Sequence, residues 1–462
     1  MAAERLRVAL PDFAYRAAMD NGIVEHELCP VFIASSDDTP MLDPDEADAM
    51  EWVTWDELCD RAAHRPETLS LWSVTQVRRL ANLTNDPLRW LDEADHSPAA
   101  PISRIEERPT DPFDVMGGRV EQVMRDFVEA AALELVGLEP LAAELCQPIR
   151  ALLDAGGKRL RPCLVYCGYE AGSGNGGPVA EHDLAHVAAA VEMLHTFALL
   201  HDDVMDRSLL RRGQLTAHER FDALHARTRP RGDAAWFGTS AAIIAGDLAF
   251  VWADQLLDRL GGDEQQQRDV RRLYGQLRHE VIVGQYLDIR LAGPHATDQQ
   301  AQVVALLKSG RYTVTRPLEL GASLAGASES TASALRAFGD AAGVAFQLRD
   351  DIIGVFGDVS VTGKGCSDDI RSGKASLLLV RALELAAPAQ RALLRAGLGN
   401  EELDEAGVDA CREAVRSSGA VASIERLIDA ELDTARHAVR FLPDHVQDRL
   451  ISLSELLAHR MA

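Results

Sequence analysis

Residues 188–206 read AAAVEMLHTFALLHDDVMD, an apolar run whose hydrophobics recur at helical spacing and which ends in three carboxylates. On a helix, residues i and i+4 share a face, so Asp202 and Asp206 point the same way. Two carboxylates on one face repel at neutral pH unless a cation sits between them. Hard oxygens at this spacing suit Mg²⁺, which takes a few carboxylates and fills its other positions with water and phosphate oxygens. A lone D-D-x-x-D is as readily a solvated helix end. Here it closes an apolar helix and is followed by Arg211-Arg212-Gly213, which favours a site.

A second acidic stretch, Gln347-Leu348-Arg349-Asp350-Asp351-Ile352-Ile353-Gly354, again closes an apolar run. Two helices ending in paired aspartates can face each other and hold several Mg²⁺ between them, which would bind a diphosphate and stabilise it as a leaving group. Cations are spread around both stretches. Gly156-Gly157-Lys158-Arg159-Leu160-Arg161-Pro162 opens a helix, where basic side chains reinforce the anion preference of a helix N-terminus. Arg211, Arg212, Lys308, Lys364 and Lys374 add more.

Composition agrees with a helical protein. The chain has 462 residues, 47% of them hydrophobic and only 5% aromatic. A net charge of −25 argues against nucleic acid, whose phosphates need a basic surface. Local clusters of Arg, Lys and metal can still outweigh that field for a diphosphate. Seven cysteines without framework spacing read as reduced thiols of a cytoplasmic protein, with Cys163 and Cys167 as packing residues. No apolar run is expected to reach the ~18 residues that span a bilayer.

Helical periodicity dominates from Val120 onward, with helices expected at about 118–136, 139–153, 159–171, 182–206, 236–260, 264–291, 297–308, 311–325 and 329–353. No alternating strand pattern interrupts them, and breaks fall at Gly172–Pro178, Arg229–Gly232 and Gly354–Gly373. Residues 96–112 carry four prolines and no periodicity, as a linker does. Residues 1–95 differ: Ile23–Phe32 alternates as a strand, and Met50–Trp55 reads as a short strand leading into a helix capped by Thr54 or Asp56. Ten acids and no Lys or Arg lie between Asp37 and Asp60, a solvated acidic edge.

The large segment, residues 113–462, resembles the trans-isoprenyl diphosphate synthases, geranylgeranyl diphosphate synthases in particular. The resemblance rests on G-G-K-R-L-R-P, H-D-D-V-M-D-R-S-x-x-R-R-G, Gly284-Gln285-Tyr286-Leu287-Asp288, Phe346-Gln347, D-D-I-I-G-V-F-G-D, Thr362-Gly363-Lys364 and Gly373-Lys374. It implies an all-α isoprenoid-synthase bundle, a homodimer, and head-to-tail condensation of isopentenyl diphosphate with an allylic diphosphate. It also implies several Mg²⁺ ions held by Asp202, Asp203, Asp206, Asp350 and Asp351. Arg211, Lys308, Lys364 and Lys374 would bind the allylic diphosphate, and Lys158, Arg161, His195 and Arg212 isopentenyl diphosphate, with Gln347 among the substrate contacts. Gly354 departs from D-D-x-x-D, so metal binding there must lean on Asp350 and Asp351; Asp358 lies too far along to share the face simply.

Product length follows from geometry together with the resemblance. Residues four and five before Asp202 lie roughly 6–7.5 Å down the helix. They are Ala198 and Phe197. A single aromatic at the fifth position implies a floor that stops growth at twenty carbons, geranylgeranyl diphosphate.

The first segment resembles the C-terminal half of type I isopentenyl diphosphate isomerase, a Nudix-fold enzyme. The matching residues are Pro11–Arg16, Gly22–Phe32, Asp45-Glu46 and Leu71-Trp72. Glu25 and Glu27 match metal ligands of that family, and Tyr15 and Trp72 its allylic pocket, so a small α/β fragment is expected. The family's catalytic cysteine, histidines and Nudix box lie upstream of the match. Met1 is therefore expected to be a start inside a longer bifunctional isomerase–synthase gene, or the scar of a fusion, and no isomerase activity is expected. A silent partner subunit is the non-enzyme alternative, though such subunits usually lose one acidic motif.

Overall fold

The structure is a computed structural model that describes residues 5–10, 14–18, 24–28, 31–35, 53–65 and single positions up to 80, then 112–155, 159–173, 181–211, 213–228, 231–262, 264–357 and 368–459. Lys158, Arg212, Lys364, Trp72, Asp358 and residues 96–111 of the expected linker lie outside the described residues, as do the side chains of Tyr15, Glu25 and Glu27. The chain divides into two units, 1–108 and 109–462.

In the first unit, β1 (Arg5–Leu10) pairs antiparallel with β4 (Val31–Ser35), and β2 (Ala14–Ala18) with β3 (Val24–Leu28). These are two separate pairs, which do not by themselves make the expected Nudix-like sheet. The strand expected over 23–32 is divided between β3 and β4. Val53 and Thr54 are not strand: Thr54 caps α1 (Trp55–His64), its hydroxyl accepting from the Glu57 amide at 3.3 Å.

The second unit is helical almost throughout: α2 (Pro112–Leu138), α3 (Ala143–Asp154), α4 (Leu160–Ser173), α5 (Glu181–Met205), α6 (Ala217–Thr228), α7 (Ala234–Leu257) and α8 (Glu264–Arg290), then α9 (Asp298–Val304), α10 (Arg316–Leu324) and α11 (Glu329–Phe356). A short α12 (Asp368–Arg371) is followed by α13 (Leu377–Leu385), α14 (Pro388–Gly397), α15 (Glu405–Ser417), α16 (Ala420–Val439) and α17 (Asp444–Ala458). Every residue of α5 from Asp183 to Leu194 is buried, so this helix is the axis around which α2, α4 and α7 pack. Caps set the starts: Asp233 takes the Trp236 amide at 3.0 Å, Thr297 and Gln300 form a capping box, and Ser328 takes the Thr331 amide at 3.2 Å.

Four expectations are corrected. A two-stranded hairpin, β5 (Leu210–Arg211) with β6 (Gln214–Leu215), and helix α6 lie between residues 206 and 236, where no element was expected; the hairpin is too short to alternate, and Gly213, at φ +73°, makes its turn. The helices expected at 297–308 and 311–325 are one run, joined by a π-helical stretch, Ala305–Thr315. α11 continues through Gly354 to Phe356; a helical glycine costs ~1 kcal/mol, and the burial of Val355 outweighs it. Finally, α5 and α7 are both long and apolar enough to cross a membrane by length and composition, but 72% of the α5 window lies inside the fold, against 33% for α7.

Candidate functional site

The last turns of α5 present the first acidic motif at the negative end of the helix dipole, where carboxylates are disfavoured unless cations accompany them. The helix stops at Arg207, whose φ is +50°, with the Ser208 amide donating to Asp203 O at 2.9 Å. Asp202 accepts from Gln285 Nε2 at 3.2 Å and lies 3.5 Å from Lys308 Nζ and 3.7 Å from Arg211 Nη2. Asp206, one turn on, is exposed. Asp203 does not share their face: it is buried and holds Arg211, whose Nε donates to Oδ1 at 2.7 Å. Burial would lower the Arg211 guanidinium, but Asp203 first, then Asp202 and Asp206, override it and raise it. Asp203, expected among the metal ligands, is thus placed against Arg211 rather than beside Asp206.

Lys308 projects from the π-helical stretch. Glycine at 284 is needed here, because a Cβ there would stand 2.4 Å from the Lys308 amide nitrogen. α8 thus comes close enough for Gln285 and Asp288, i and i+3 on one face, to meet Asp202 and Lys308. Burial opposes the charge on Lys308, and Asp202 and Asp288 more than restore it, so its ammonium is held above the usual lysine range.

The second motif opens on the same pair of aspartates in a different environment. Asp351 is 2% exposed, accepts from Gln347 Nε2 at 2.6 Å and lies 3.9 Å from Lys374 Nζ. Burial, against the pull of Lys374 and Gln347, pushes its carboxyl up to about 7. Asp351 is thus enclosed rather than presented, while Asp350 stays partly exposed. Lys374 is raised well above its ordinary value, by Asp369 first and, against burial, by Asp351, Asp288 and Asp350 as well. Charges therefore alternate from one motif to the other: Arg211, Asp202, Lys308, Asp288, Lys374, Asp351.

Two further groups stand beside this ladder. His195 Nδ1 and the Tyr312 hydroxyl are 2.8 Å apart, Arg161 covers the Tyr312 ring at 4.4 Å, and Arg161 Nη2 donates to Thr313 Oγ1 at 2.9 Å. The expected pair Arg161 and His195 is thus assembled on Tyr312, which the sequence reading missed. Arg159 of the same basic motif is structural: it pairs with Glu192 at 2.8 Å and Glu121 at 3.1 Å. Deeper along α5, Phe197 meets His201 edge-on at 4.7 Å and Phe250 of α7 at 4.8 Å, with Ala198 beside it in the wall of the core. Arg278 lies 5.3 Å from the Phe250 ring and bonds both oxygens of Asp254 at 2.8 Å.

Among the described residues no three carboxylates, histidines or cysteines converge on one point. Mg²⁺ in a phosphate site keeps waters and substrate oxygens and needs one or two carboxylates per ion. Asp202, Asp206 and Asp350 are the partly or fully exposed hard donors at two helix ends, and Lys308 already places a cation against Asp202. Gln285, Asp288, Tyr312, Phe250 and Asp369 are the site residues that sequence reasoning left without a role. The motif Gly284–Asp288, with its i, i+3 spacing, carried the signal for the first two.

The polyprenyl synthetase family model matches residues 142–415. The geranylgeranyl diphosphate synthase of Mycobacterium tuberculosis is 33% identical over 306 residues, 66% of this chain and 80% of that one. The short chain isoprenyl diphosphate synthase of Methanothermobacter thermautotrophicus is 31% identical over 308 residues, 64% of this chain and 88% of that one. Among solved structures, the geranylgeranyl pyrophosphate synthase of Corynebacterium glutamicum, complexed with isoprenyl diphosphate and magnesium, has a TM-score of 0.71 and 34% identity, covering 75% of this chain and 99% of that one.

Proposed function

The chain belongs to the polyprenyl synthetase family, and from that premise we propose that it condenses isopentenyl diphosphate head-to-tail with allylic diphosphates to give geranylgeranyl diphosphate. The observation that carries the reading is the alternating ladder of charges between two helix ends, set above an apolar wall on α5. Bound Mg²⁺ would supply charge neutralisation for the leaving diphosphate, held by Asp202, Asp206 and Asp350. Arg211, Lys308 and Lys374, with Lys364, bind the same diphosphate. Arg161 and His195, with Lys158 and Arg212, hold isopentenyl diphosphate, and Tyr312 sets the positions of the first two. The C–O bond of the allylic substrate breaks, the homoallylic double bond attacks the freed carbon, and a proton leaves to the released diphosphate. No side-chain nucleophile is required; the residues position the substrates and exclude water.

Phe197, tilted against Phe250 below Asp202, supports twenty carbons as the stop. The test is incubation with Mg²⁺, isopentenyl diphosphate and dimethylallyl diphosphate, followed by dephosphorylation and mass analysis. A C20 alcohol is expected. Another length would keep the enzyme class and remove the floor argument, and no product would remove the enzyme.

A homodimer is supported by apolar side chains exposed on α7 and α8: Trp236, Ile244, Val251, Ile282, Val283 and Tyr286. The buried thiols of Cys146, Cys167 and Cys411 support a cytoplasmic setting. For the first unit, the isomerase resemblance rests on the sequence match alone. Isopentenyl diphosphate supplied alone, without an allylic primer, is expected to give no product; turnover would establish the bifunctional reading instead.

A further inference from the structure

The second acidic motif lacks its fifth-position carboxylate. Asp202 and Asp206 stand i, i+4 on α5, but Asp350 is followed four residues later by Gly354. The glycine is not there for backbone freedom, since it lies within helical α11. It is there for space: a Cβ on Gly354 would sit 2.1 Å from Oδ2 of Asp369 and 3.1 Å from its Cγ. The carboxylate of Asp369 fills the volume in which a side chain at 354 would begin. A side chain at 354 would require the Asp369 carboxylate to swing out of its present place.

Asp369 is delivered rather than lying there loosely. It belongs to α12, whose Ile370 is fully buried and whose Arg371 donates to Leu403 O at 2.9 Å and to Glu405 at 2.7 Å. The Lys374 amide donates to Asp369 O at 3.0 Å. The Asp369 side chain is 23% exposed and lies 3.6 Å from Lys374 Nζ, which also faces Asp351 at 3.9 Å. It therefore shares a cation with the second motif and borders the same polar space.

We propose that Asp369 is the working fifth carboxylate of the second motif, supplied from α12 across the notch at Gly354, and that with Asp350 it binds divalent metal directly or through metal-bound water. The proposal rests on the diphosphate–metal reading of the site. Asp358, the in-sequence alternative, is not needed.

The test measures binding, not turnover: calorimetric titration of the purified full chain with Mn²⁺ in the presence of inorganic pyrophosphate. Asp369→Asn keeps the shape and removes the charge. It is expected to weaken pyrophosphate-dependent Mn²⁺ binding by about 10–100-fold. The swap Gly354→Asp with Asp369→Gly returns the carboxylate to the in-motif position and is expected to recover most of that loss. Asp369→Glu, which keeps the charge, is expected to retain most of the affinity even where the swap does not fold. If Asp369 serves only to hold Lys374, Asp369→Asn will instead weaken metal-free pyrophosphate binding as Lys374→Met does and leave Mn²⁺ affinity unchanged; that result overturns the proposal. Failure of the broader reading looks different: the unaltered protein would show no pyrophosphate-dependent Mn²⁺ binding at all.

Discussion

Replacing Phe197 with alanine is expected to lengthen the product by one isoprene unit and no more. His201 lies against Gly246 and Phe197 against Phe250, so α5 and α7 run antiparallel and the two rings meet at one depth. Removing the Phe197 ring opens room comparable to a five-carbon unit. Burying those carbons is worth about 4 kcal/mol at ~0.8 kcal/mol per carbon, enough to draw in one more condensation. A tail going farther meets Phe250, which remains, and behind it Arg278 paired with Asp254. Covering that pair costs several kcal/mol per ion removed from water, which cancels the gain from the next unit. The fold should tolerate the change, because Phe197 is only partly buried and His201 keeps its bond from Nε2 to Ile243 O at 3.0 Å. The assay is mass analysis of dephosphorylated products, with a melting curve as control. A C25 product from a folded variant is expected. Unchanged length would refute Phe197 as the floor, and products of thirty carbons or more would refute the barrier behind it.

Lys308→Met leaves Asp202 and Asp288 without the cation between them; kcat/KM for the allylic substrate should fall about 10²–10³-fold, with little change in the KM for isopentenyl diphosphate in steady-state kinetics. Chelation with EDTA should abolish product formation and leave the far-ultraviolet helix signal intact, because apolar burial around α5 holds the helical core; a loss of helix would contradict this. Burial alone would raise the Glu280 carboxyl, but Arg316 and then Arg311 bond to it and lower it. Its stabilising contribution is thus present above the ordinary carboxylate value and lost as pH falls through the lowered one. Melting temperature should drop on acidification, and Glu280→Gln should be less stable at neutral pH with a flatter acid limb. Ile244→Asp with Val283→Asp should yield monomers by sedimentation if α7 and α8 form the interface between copies.

What the sequence determined by itself was local. Periodicity around Asp183–Leu194 marked a buried helix, and i, i+4 spacing put Asp202 and Asp206 on one face, because both depend only on residues within a few turns. The tertiary structure decided what each carboxylate does. Asp202 and Asp203 are neighbours in sequence, yet one meets Lys308 and the other Arg211 inside the fold. Asp350 and Asp351 divide in the same way, one partly open and one enclosed with Gln347. Tyr312 is 117 residues from the histidine it holds, a separation no local pattern encodes. Gly354 read only as a departure from the D-D-x-x-D pattern; the arrival of α12 beside α11 turns it into the space for Asp369. Charge and periodicity are written along the chain, whereas burial and ion pairing belong to surfaces that meet only after it folds.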